Sequence, residues 1–223
     1  MKKIEGTKSI RDILKDQRYA VDYYQREYRW QRKQVEELIT DLTDRFNNDY
    51  NASHPRSKVQ DYGHYFLGSI ILSQREGKTF IVDGQQRLTT LTLLLICLHL
   101  LQKDKPNRVK LDDLIYSERY GARAFNISVP DRDVALEALF KGEPVDTTDA
   151  SESVQTMVDR YQDLEELLAD GITEQAIPYF SDWLIDNVHL VEIKANTDED
   201  AYTIFETMND RGLSLTPLDM LKG

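Results

Sequence analysis

The sequence contains few of the residues that build disulfide frameworks and zinc sites. Its 223 residues include one cysteine and four histidines. Cys97 has no partner for an internal disulfide, and its apolar surroundings are typical of a small core residue rather than a reactive thiol. The histidines lie too far apart in the sequence to show the paired spacing of zinc ligands. The sequence therefore predicts neither a disulfide-stapled fold nor a zinc centre.

Long apolar stretches are also missing. The longest candidate, residues 88–101, is shorter than a membrane-spanning helix and contains threonines and His99. The first three residues lead into the polar residues 5–8 rather than into the apolar core of a signal peptide. We therefore expect a cytoplasmic protein without a membrane partner.

The sequence has fewer basic than acidic residues. Lysine and arginine number 28 against 39 aspartates and glutamates, for a net charge of -11. Such an acidic balance argues against a surface that wraps nucleic acid as a whole. The charge is uneven, however, because residues 1–33 carry ten Lys/Arg against five Asp/Glu, whereas residues 141–170 carry two against nine. A local basic face of Arg26, Arg29, Arg32 and Lys33 remains a candidate for contact with a DNA backbone.

What the sequence does contain is a succession of strand and helix patterns. Apolar runs at 65–72 and 79–82 flank a short turn and predict a hairpin. Apolar residues at helical spacing predict helices over 34–46 and 87–102, the second apolar nearly all round and therefore buried. We expect an α+β fold with a small mixed sheet and a large helical portion. The other predicted elements are a helix at 9–15 capped by Ser9, an edge strand at 19–23, short strands within 108–128, a helix from the cap Asp131 to Phe140, a helix over 154–168, a helix that Thr173 and Glu174 start and that runs to Trp183, a strand at 188–193 and a helix capped by Asp198.

The stretch 80–91 changes from a β-branched run to residues at helical spacing, so it predicts a strand, a tight turn and a helix. Gly84 suits the turn because glycine adopts backbone angles that a residue with a Cβ resists. The first turn of the following helix offers unpaired N–H groups and the positive end of the helix dipole. An anion such as a phosphate is the expected occupant.

Four side chains around Gly84 add to this anion site. Arg87 can hold a phosphate through two parallel hydrogen bonds, and Gln85 and Gln86 can orient a phosphate, a ribose or a water without titrating. Asp83 can recruit a divalent ion, or it can fix the turn by accepting backbone N–H groups. The alternative is an ordinary structural turn, because aspartate before glycine is common turn chemistry.

Three blocks of the sequence resemble one known family. Residues 83–90 read DGQQRLTT, residues 23–30 read YYQREYRW, and residues 205–219 read FETMNDRGLSLTPLD. In this order they are similar to the N-terminal domain of GmrSD-type modification-dependent (type IV) restriction endonucleases and of SspE-like phage-defence proteins, a domain related to the ParB/sulfiredoxin superfamily. The blocks span nearly the whole chain, which makes the resemblance specific.

The resemblance implies a domain that binds a nucleoside triphosphate with Mg²⁺ and hydrolyses it to control DNA cleavage, with GTP, CTP, UTP and ATP not distinguished. The nuclease is implied to be a C-terminal or separate HNH-type domain acting on DNA, including modified phage DNA. Residues 1–107 would form a ParB/sulfiredoxin-like nucleotide-binding core, and residues 108–187 a mostly helical insertion. Residues 188–223 would complete the core and end before the nuclease domain, so no nuclease site is expected here.

The same blocks supply the expected site residues. Arg87 would neutralise the phosphates, Asp83 would hold the metal ion, and Gln85 or Gln86 would position the attacking water. These four residues are the expected catalytic group. The residues expected to bind the nucleotide are Gly84, Gln25, Arg26, Thr89, Asn209 and Arg211.

Other interpretations stay open at this point. The aromatic and basic side chains of residues 23–30, Trp30 among them, can stack on a base and bind phosphate, or they can form a structural plug whose rings pack while the arginines face solvent. Asn209 and Arg211 can likewise hold a turn. At the level of function, the alternatives are a non-hydrolytic module that binds nucleotide or modified DNA, and a purely structural interaction domain. The sequence leaves open which nucleotide is preferred, which DNA modification is sensed and whether the domain forms a homodimer.

Overall fold

A computed structural model of the chain describes residues 7–21, 27–195 and 197–210, without the side chains of residues 119, 209 and 210. Six strands of this part form one mixed sheet in the order β1-β8-β3-β4-β2-β7, and β5 and β6 form a separate hairpin. The α+β class with a mixed sheet and a large helical portion is therefore confirmed. The strands are β1 (Thr7–Ser9), β2 (Tyr19–Val21), β3 (Tyr65–Arg75), β4 (Lys78–Asp83), β5 (Tyr116–Arg119), β6 (Ala122–Phe125), β7 (Ile127–Ser128) and β8 (Val188–Ala195).

Helices cover the sheet and form most of the core. The predicted helices over 34–46 and 87–102 are confirmed, although each starts two residues earlier than expected. Ser9 caps the first helix as predicted, since its side chain accepts the N–H of Asp12. The helices are α1 (Ile10–Leu14), α2 (Arg32–Asn47), α3 (Gln85–Leu101), α4 (Asp112–Ile115), α5 (Pro130–Lys141), α6 (Glu152–Gly171), α7 (Ile177–Asn187) and α8 (Asp198–Asp210), with a 3₁₀-helix at Arg56–Asp61.

The β3–β4 hairpin is the centre of the sheet. The two strands pair antiparallel, as predicted, while β3 pairs parallel with β8 on its other side. The strand predicted at 19–23 is confirmed as β2, but its prediction as an edge strand is wrong. It runs parallel between β4 and β7, because the chain returns after the β5–β6 hairpin to pair with Tyr19 and Ala20.

The cap predicted at Asp198 is wrong, because Asp198 begins α8 and the hydroxyl of Thr197 before it accepts the N–H of Asp200 at 3.1 Å. Two other predicted helix starts are wrong for a shared reason. Asp131 was expected to cap α5, but Val129 occupies the cap position and Pro130 begins the helix, while the carboxylate of Asp133 accepts the N–H of Val129 at 3.0 Å. The helix expected from Thr173 begins at Ile177 instead. In both cases proline occupies the first turn, where its missing N–H leaves no hydrogen bond unmade.

Helix α3 is the buried axis of the helical layer. All residues from Leu88 to Leu98 are buried, and the helix packs against α4, α5, α6 and α7. One apolar cluster runs from α1 through α2 and α3 to α7 and β8, so side chains of residues 108–187 share a core with those of residues 1–107. No helix of the described ranges combines the length and the apolar character needed to cross a bilayer.

Candidate functional site

Residues from the three sequence blocks line one cavity at the end of β4. Its volume is about 280 Å³. The block at 23–30 contributes an aromatic ring, the block at 83–90 contributes the turn and the helix start, and α8 contributes a second ring. The lining residues are Trp30, Val82, Asp83, Gly84, Gln85, Gln86, Arg87 and Phe205.

The turn between β4 and α3 requires glycine. Gly84 has a φ of 94°, in the left-handed region that residues with a Cβ avoid. A Cβ at this position would lie 2.7 Å from Cγ2 and 3.3 Å from Cβ of Ile70 on β3. Gly84 therefore allows the chain to leave the sheet sharply while remaining packed against the neighbouring strand, which aims the start of α3 into the cavity.

The start of α3 is open to a ligand. Gly84 is the N-cap, and no side chain of a described residue caps the helix. The first intrahelical bond joins the N–H of Leu88 to the carbonyl of Gly84, so the N–H groups of the three residues between them have no helical acceptor. These amides and the dipole of a 17-residue helix favour an anion at this end.

The guanidinium of Arg87 lies over an irregularity in β3. Its Nη1 donates to the carbonyl of Ser69 at 2.7 Å, and a Cβ on Gly68 would lie 3.4 Å from its Cζ. Gly68 has a φ of 103°, and the register of β3 against β8 shifts between Phe66 and Ser69. The bulge thus makes room for the guanidinium and fixes it through one hydrogen bond.

Arg87 keeps most of its donors for a ligand. No described residue forms an ion pair with it, and the carbonyl of Ser69 is its hydrogen-bond acceptor among the described residues. Burial lowers the pKa of the Arg87 guanidinium, and the neighbouring Asp83 carboxylate opposes that effect. An arginine remains protonated at neutral pH even so, and its planar fork suits a phosphate.

The two glutamines of the motif have different environments. The Oε1 of Gln86 accepts the N–H of Arg29 at 2.8 Å and that of Trp30 at 3.3 Å, while its Nε2 donates to the carbonyl of Glu27 at 2.7 Å. Gln86 therefore holds the wall of the cavity in place. The Oε1 of Gln85 is buried and has no hydrogen-bond partner among the described residues, unlike the amide of Gln86.

Asp83 is the only carboxylate among the described residues that line the cavity. The described ranges hold no cluster of three or more His, Cys, Asp or Glu residues arranged for a metal ion. Mg²⁺ typically takes one or two protein carboxylates and completes its coordination with phosphates and water. Asp83 beside an anion-binding helix start therefore fits a magnesium ion that arrives with a phosphate chain.

The residues that line the cavity lie within a stretch of the chain that matches a known protein family. The model of the GmrSD restriction endonuclease N-terminal domain matches residues 10–223. The chain belongs to this family. As a GmrSD N-terminal domain it is part of a restriction endonuclease system. No curated protein matches the chain.

The structure of this GmrSD N-terminal domain gathers some of the expected site residues and leaves others apart. Asp83, Gly84, Gln85, Gln86 and Arg87 line the cavity, whereas Thr89 is buried beneath it with its hydroxyl facing Arg132. Trp30, which belongs to the block considered for base stacking, and Phe205, for which no role was predicted, also line the cavity. Their presence in the sequence blocks was the available signal. Gln25, Arg26 and Arg211 lie outside the described residues, as does the side chain of Asn209.

The basic face of the GmrSD N-terminal domain is largely neutralised by its own carboxylates. Arg29 forms an ion pair with Glu27. Arg32 binds Asp163 at 2.5 Å and Glu166 at 2.9 Å, which ties α2 to α6. Lys33 lies 3.8 Å from Glu37. Three of the four cations of this face, all but Arg26, therefore have acidic neighbours, and a nucleic acid would have to compete with them.

Proposed function

We propose that this chain is the nucleoside-triphosphate-binding and hydrolysing regulatory domain of a modification-dependent DNA restriction system. It acts in the cytoplasm, with an HNH-type nuclease domain cutting the DNA. The observation that carries the proposal is the convergence of Asp83, the uncapped start of α3 and the guanidinium of Arg87 in one cavity. Amides, a guanidinium and one carboxylate are the groups that a phosphate chain with Mg²⁺ needs.

Each lining residue has a role in this proposal. The N–H groups at the start of α3 and the free donors of Arg87 hold the phosphate oxygens and stabilise the charge that develops on them. Asp83 holds Mg²⁺, which supplies further neutralisation of the phosphate charge. Gln85, whose Oε1 has no hydrogen-bond partner among the described residues, orients the water that attacks the terminal phosphorus. The products are the nucleoside diphosphate and inorganic phosphate.

The size of the cavity indicates which part of the ligand it holds. Pockets for whole small molecules measure about 300–1,000 Å³, and the described residues enclose about 280 Å³. This volume suits the phosphate chain. The rings of Trp30 and Phe205 at its wall offer stacking surfaces for the base, and such surfaces tolerate any of the four bases.

The proposal is tested by measuring phosphate release with each of the four nucleoside triphosphates. The parent chain is compared with Arg87→Met, which keeps the apolar stem, and with Lys33→Met, which removes one exposed charge outside the cavity. We expect Arg87→Met to lower kcat/KM by roughly a hundredfold or more, because one preorganised charge is lost. Lys33→Met should retain the activity of the parent. Full activity in a folded Arg87→Met variant would refute the proposal.

A second candidate is a non-hydrolytic sensor that binds nucleotide or modified DNA. One observation favours it: both the Oε1 and the Nε2 of Gln86 bond to the backbone of residues 27–30, so Gln85 is the glutamine of the pair left to orient a water. A nucleotide-induced rise in the unfolding temperature without phosphate release from any of the four triphosphates would select this candidate. Absence of both effects would leave an interaction domain. The relation to the ParB/sulfiredoxin superfamily is part of the proposal in either case.

A further inference from the structure

The β5–β6 hairpin is a two-stranded ribbon that stands apart from the six-stranded sheet. Its base is anchored, because Tyr116 and Phe125 are buried, face each other in the register and stack with their ring centroids 4.2 Å apart. Toward the tip the burial reverses. The residues of 118–123 whose side chains are described are all exposed. The hairpin therefore holds a solvent-exposed tip on a packed stem.

Tyr120 occupies this tip in a conformation that bulky residues rarely adopt. Its φ is 52° and that of Gly121 is 75°, the pattern of a two-residue type I′ turn, in which asparagine before glycine is preferred. The side chain of Tyr120 is 106% exposed, so no burial of the ring offsets the strain of the turn. A strained residue whose ring packs against nothing indicates contact with a partner.

One face of the ribbon carries Arg123. Alternate residues of a strand face opposite sides, and Arg123 shares its side with Tyr116, whose ring centroid lies 3.7 Å from its Cζ. Glu118 is the acid of the ribbon and lies opposite Arg123 in the register. No acid of the described ranges forms an ion pair with Arg123.

Further cations lie on the Arg123 side. Burial lowers the pKa of His99; Asp112 opposes this effect, and Arg108, Arg123 and Lys103 add to it. These three cations thus lie close to one imidazole. Neither Arg108 nor Lys103 forms an ion pair with a described residue, so this side of the ribbon is basic although the chain is acidic.

The opposite face of the ribbon carries Arg18. Its Nε donates to the hydroxyl of Ser117 at 2.7 Å, and its Nη2 donates to the carbonyls of Ser117 and Ala122 at 3.1 and 2.9 Å. Arg18 and Lys78 line one cavity of about 610 Å³ at the base of the ribbon. Within the described part of the chain neither forms an ion pair. The ribbon is therefore flanked by cations on both sides.

This arrangement matches the shape and charge of a DNA duplex. The major groove is about 12 Å wide and about 8.5 Å deep, admits a two-stranded ribbon and has a phosphate chain on each side. The two strand residues on each side of the tip extend about 7 Å, close to the depth of the groove. By contrast, Arg29, Arg32 and Lys33 of the other basic face have acidic neighbours.

We propose that the β5–β6 hairpin is a DNA-contacting element, which enters the major groove with Tyr120 against the base edges while Arg18 and Arg123 reach the phosphates on either side. The inference rests on the proposed function in one respect, since it takes DNA as the substrate of the system. It does not depend on nucleotide hydrolysis in the cavity at the end of β4, the Asp83 cavity. That cavity shares no lining residue with the one beside Arg18.

The test is binding of a fluorescently labelled DNA duplex to the chain, measured by anisotropy at several salt concentrations. Tyr120→Asn removes the ring and gives the turn a residue that it favours. We expect this variant to bind the duplex about tenfold more weakly or worse, because an aromatic anchor is lost. Its unfolding temperature should equal or exceed that of the parent, whereas a structural role for the ring would lower it.

Arg123→Met and Lys78→Met test the two sides of the ribbon. Each should weaken binding and reduce the slope of log K against log salt concentration by about one, as expected for the loss of one phosphate contact. Arg29→Met is the matched control, because it removes an exposed arginine that pairs with Glu27 on the other basic face. This control should bind the duplex as the parent does.

The proposal is overturned if Tyr120→Asn binds the duplex like the parent, or if Arg29→Met weakens binding more than Arg123→Met does. It is also overturned if the parent binds no duplex, and the exposed ring is then left to a protein partner. Phosphate release by the same variants without DNA should match the parent, because the hairpin lies outside the Asp83 cavity. A parent that binds DNA through the hairpin but releases no phosphate would support this inference and refute the proposed hydrolysis.

Discussion

The side chain of Gln86 pairs with the backbone of Glu27 and its neighbours as an adjacent strand would. Its Nε2 donates to the carbonyl of Glu27 at 2.7 Å, and its Oε1 accepts the N–H of Arg29 at 2.8 Å. Residues 27–30 belong to no helix or strand, so their backbone groups lack the hydrogen bonds of regular secondary structure. The side chain of Gln86 supplies some of those hydrogen bonds instead. One side chain thereby connects the segment that carries Trp30 to the start of α3.

Replacing Gln86 should loosen this wall. We expect Gln86→Ala to destabilise the protein by about 1–2 kcal/mol in urea unfolding, since up to three hydrogen bonds are lost from a partly exposed site. Amide hydrogen exchange of Arg29 and Trp30 should accelerate. Gln86→Glu should behave similarly, because a carboxylate cannot donate to the carbonyl of Glu27.

Gln85 provides the comparison within the same turn of helix. Gln85→Ala removes a buried oxygen that has no hydrogen-bond partner among the described residues, so we expect the stability of the variant to lie within about 0.5 kcal/mol of the parent. Its phosphate release should fall if Gln85 orients the water.

For Gln86, equal rates of amide hydrogen exchange at Arg29 in the parent and in Gln86→Ala would show that the Gln86 side chain does not hold residues 27–30 in place.

The close approach at Gly84 predicts a large effect of one added methyl group. We expect Gly84→Ala to lose about 2–4 kcal/mol of stability, because it adds the strain of a left-handed residue to a contact of 2.7 Å with Ile70. Gly77→Ala is the matched control. Its φ is 74° and a Cβ there meets nothing within 4 Å, so only the backbone strain of about 1–2 kcal/mol applies.

The difference between the two variants isolates the packing contact, and chemical denaturation measures it directly. Equal losses for Gly84→Ala and Gly77→Ala would mean that Ile70 moves aside at no cost. In that case the sharp exit of α3 from the sheet would rest on backbone conformation alone.

The thiol of Cys97 should be unreactive in the folded protein. Its exposed fraction is 1%, and burial, with a smaller effect of Glu165, raises the pKa of its thiol. Because the thiolate is the reactive form, we expect no labelling by a disulfide reagent at pH 8 until the protein is unfolded in urea. It is the single cysteine of the sequence, so any labelling reports on it alone. Rapid labelling without denaturant would contradict the buried position in α3.

Local sequence rules were sufficient for the elements that position the Asp83 cavity. The β-branched run before Asp83, the glycine after it and the apolar residues from Leu88 onward each specify a strand, a turn and a buried helix independently. The structure agrees at all three places. Helix starts were less accurate, because Pro130 and Pro178 determined them while nearby acids gave the more obvious signal.

The side-chain partners depend on contacts between distant parts of the chain, and local rules do not reach them. The hydrogen bonds between Gln86 and the backbone of residues 27–30, for example, form only because the fold brings these two distant segments together. Arg132 did carry a local signal, since it continues the buried stripe formed by Ala135, Leu136 and Leu139 at helical spacing. A charged residue on such a stripe indicates either a buried partner or a ligand, and only the structure shows that a partner is missing among the described residues.

Glu192 makes a pH-dependent contribution to stability. Its side chain on β8 is 8% exposed. The carboxylate accepts a hydrogen bond from Lys8 at 2.8 Å and forms an ion pair with Lys194 at 3.0 Å. Burial alone would raise the pKa of this carboxyl, but the two lysines outweigh it, and the pKa is lowered. The unfolded chain therefore binds a proton more readily, so the stabilisation is complete above the unfolded pKa of about 4.3 and is lost as pH falls through the lower folded value.

Glu192→Gln should consequently be less stable than the parent by about 1 kcal/mol at pH 7, and the difference should shrink as pH falls below about 4.3. Urea unfolding of both proteins at several pH values measures it. Glu174→Gln is the control, because Glu174 is 84% exposed in its pair with Lys105, and screened surface pairs contribute little. The difference in free energy of unfolding between the two proteins could instead stay constant down to the lowest pH at which both fold. That result would show that the lysines do not stabilise the ionised carboxylate and that Glu192 acts through packing alone.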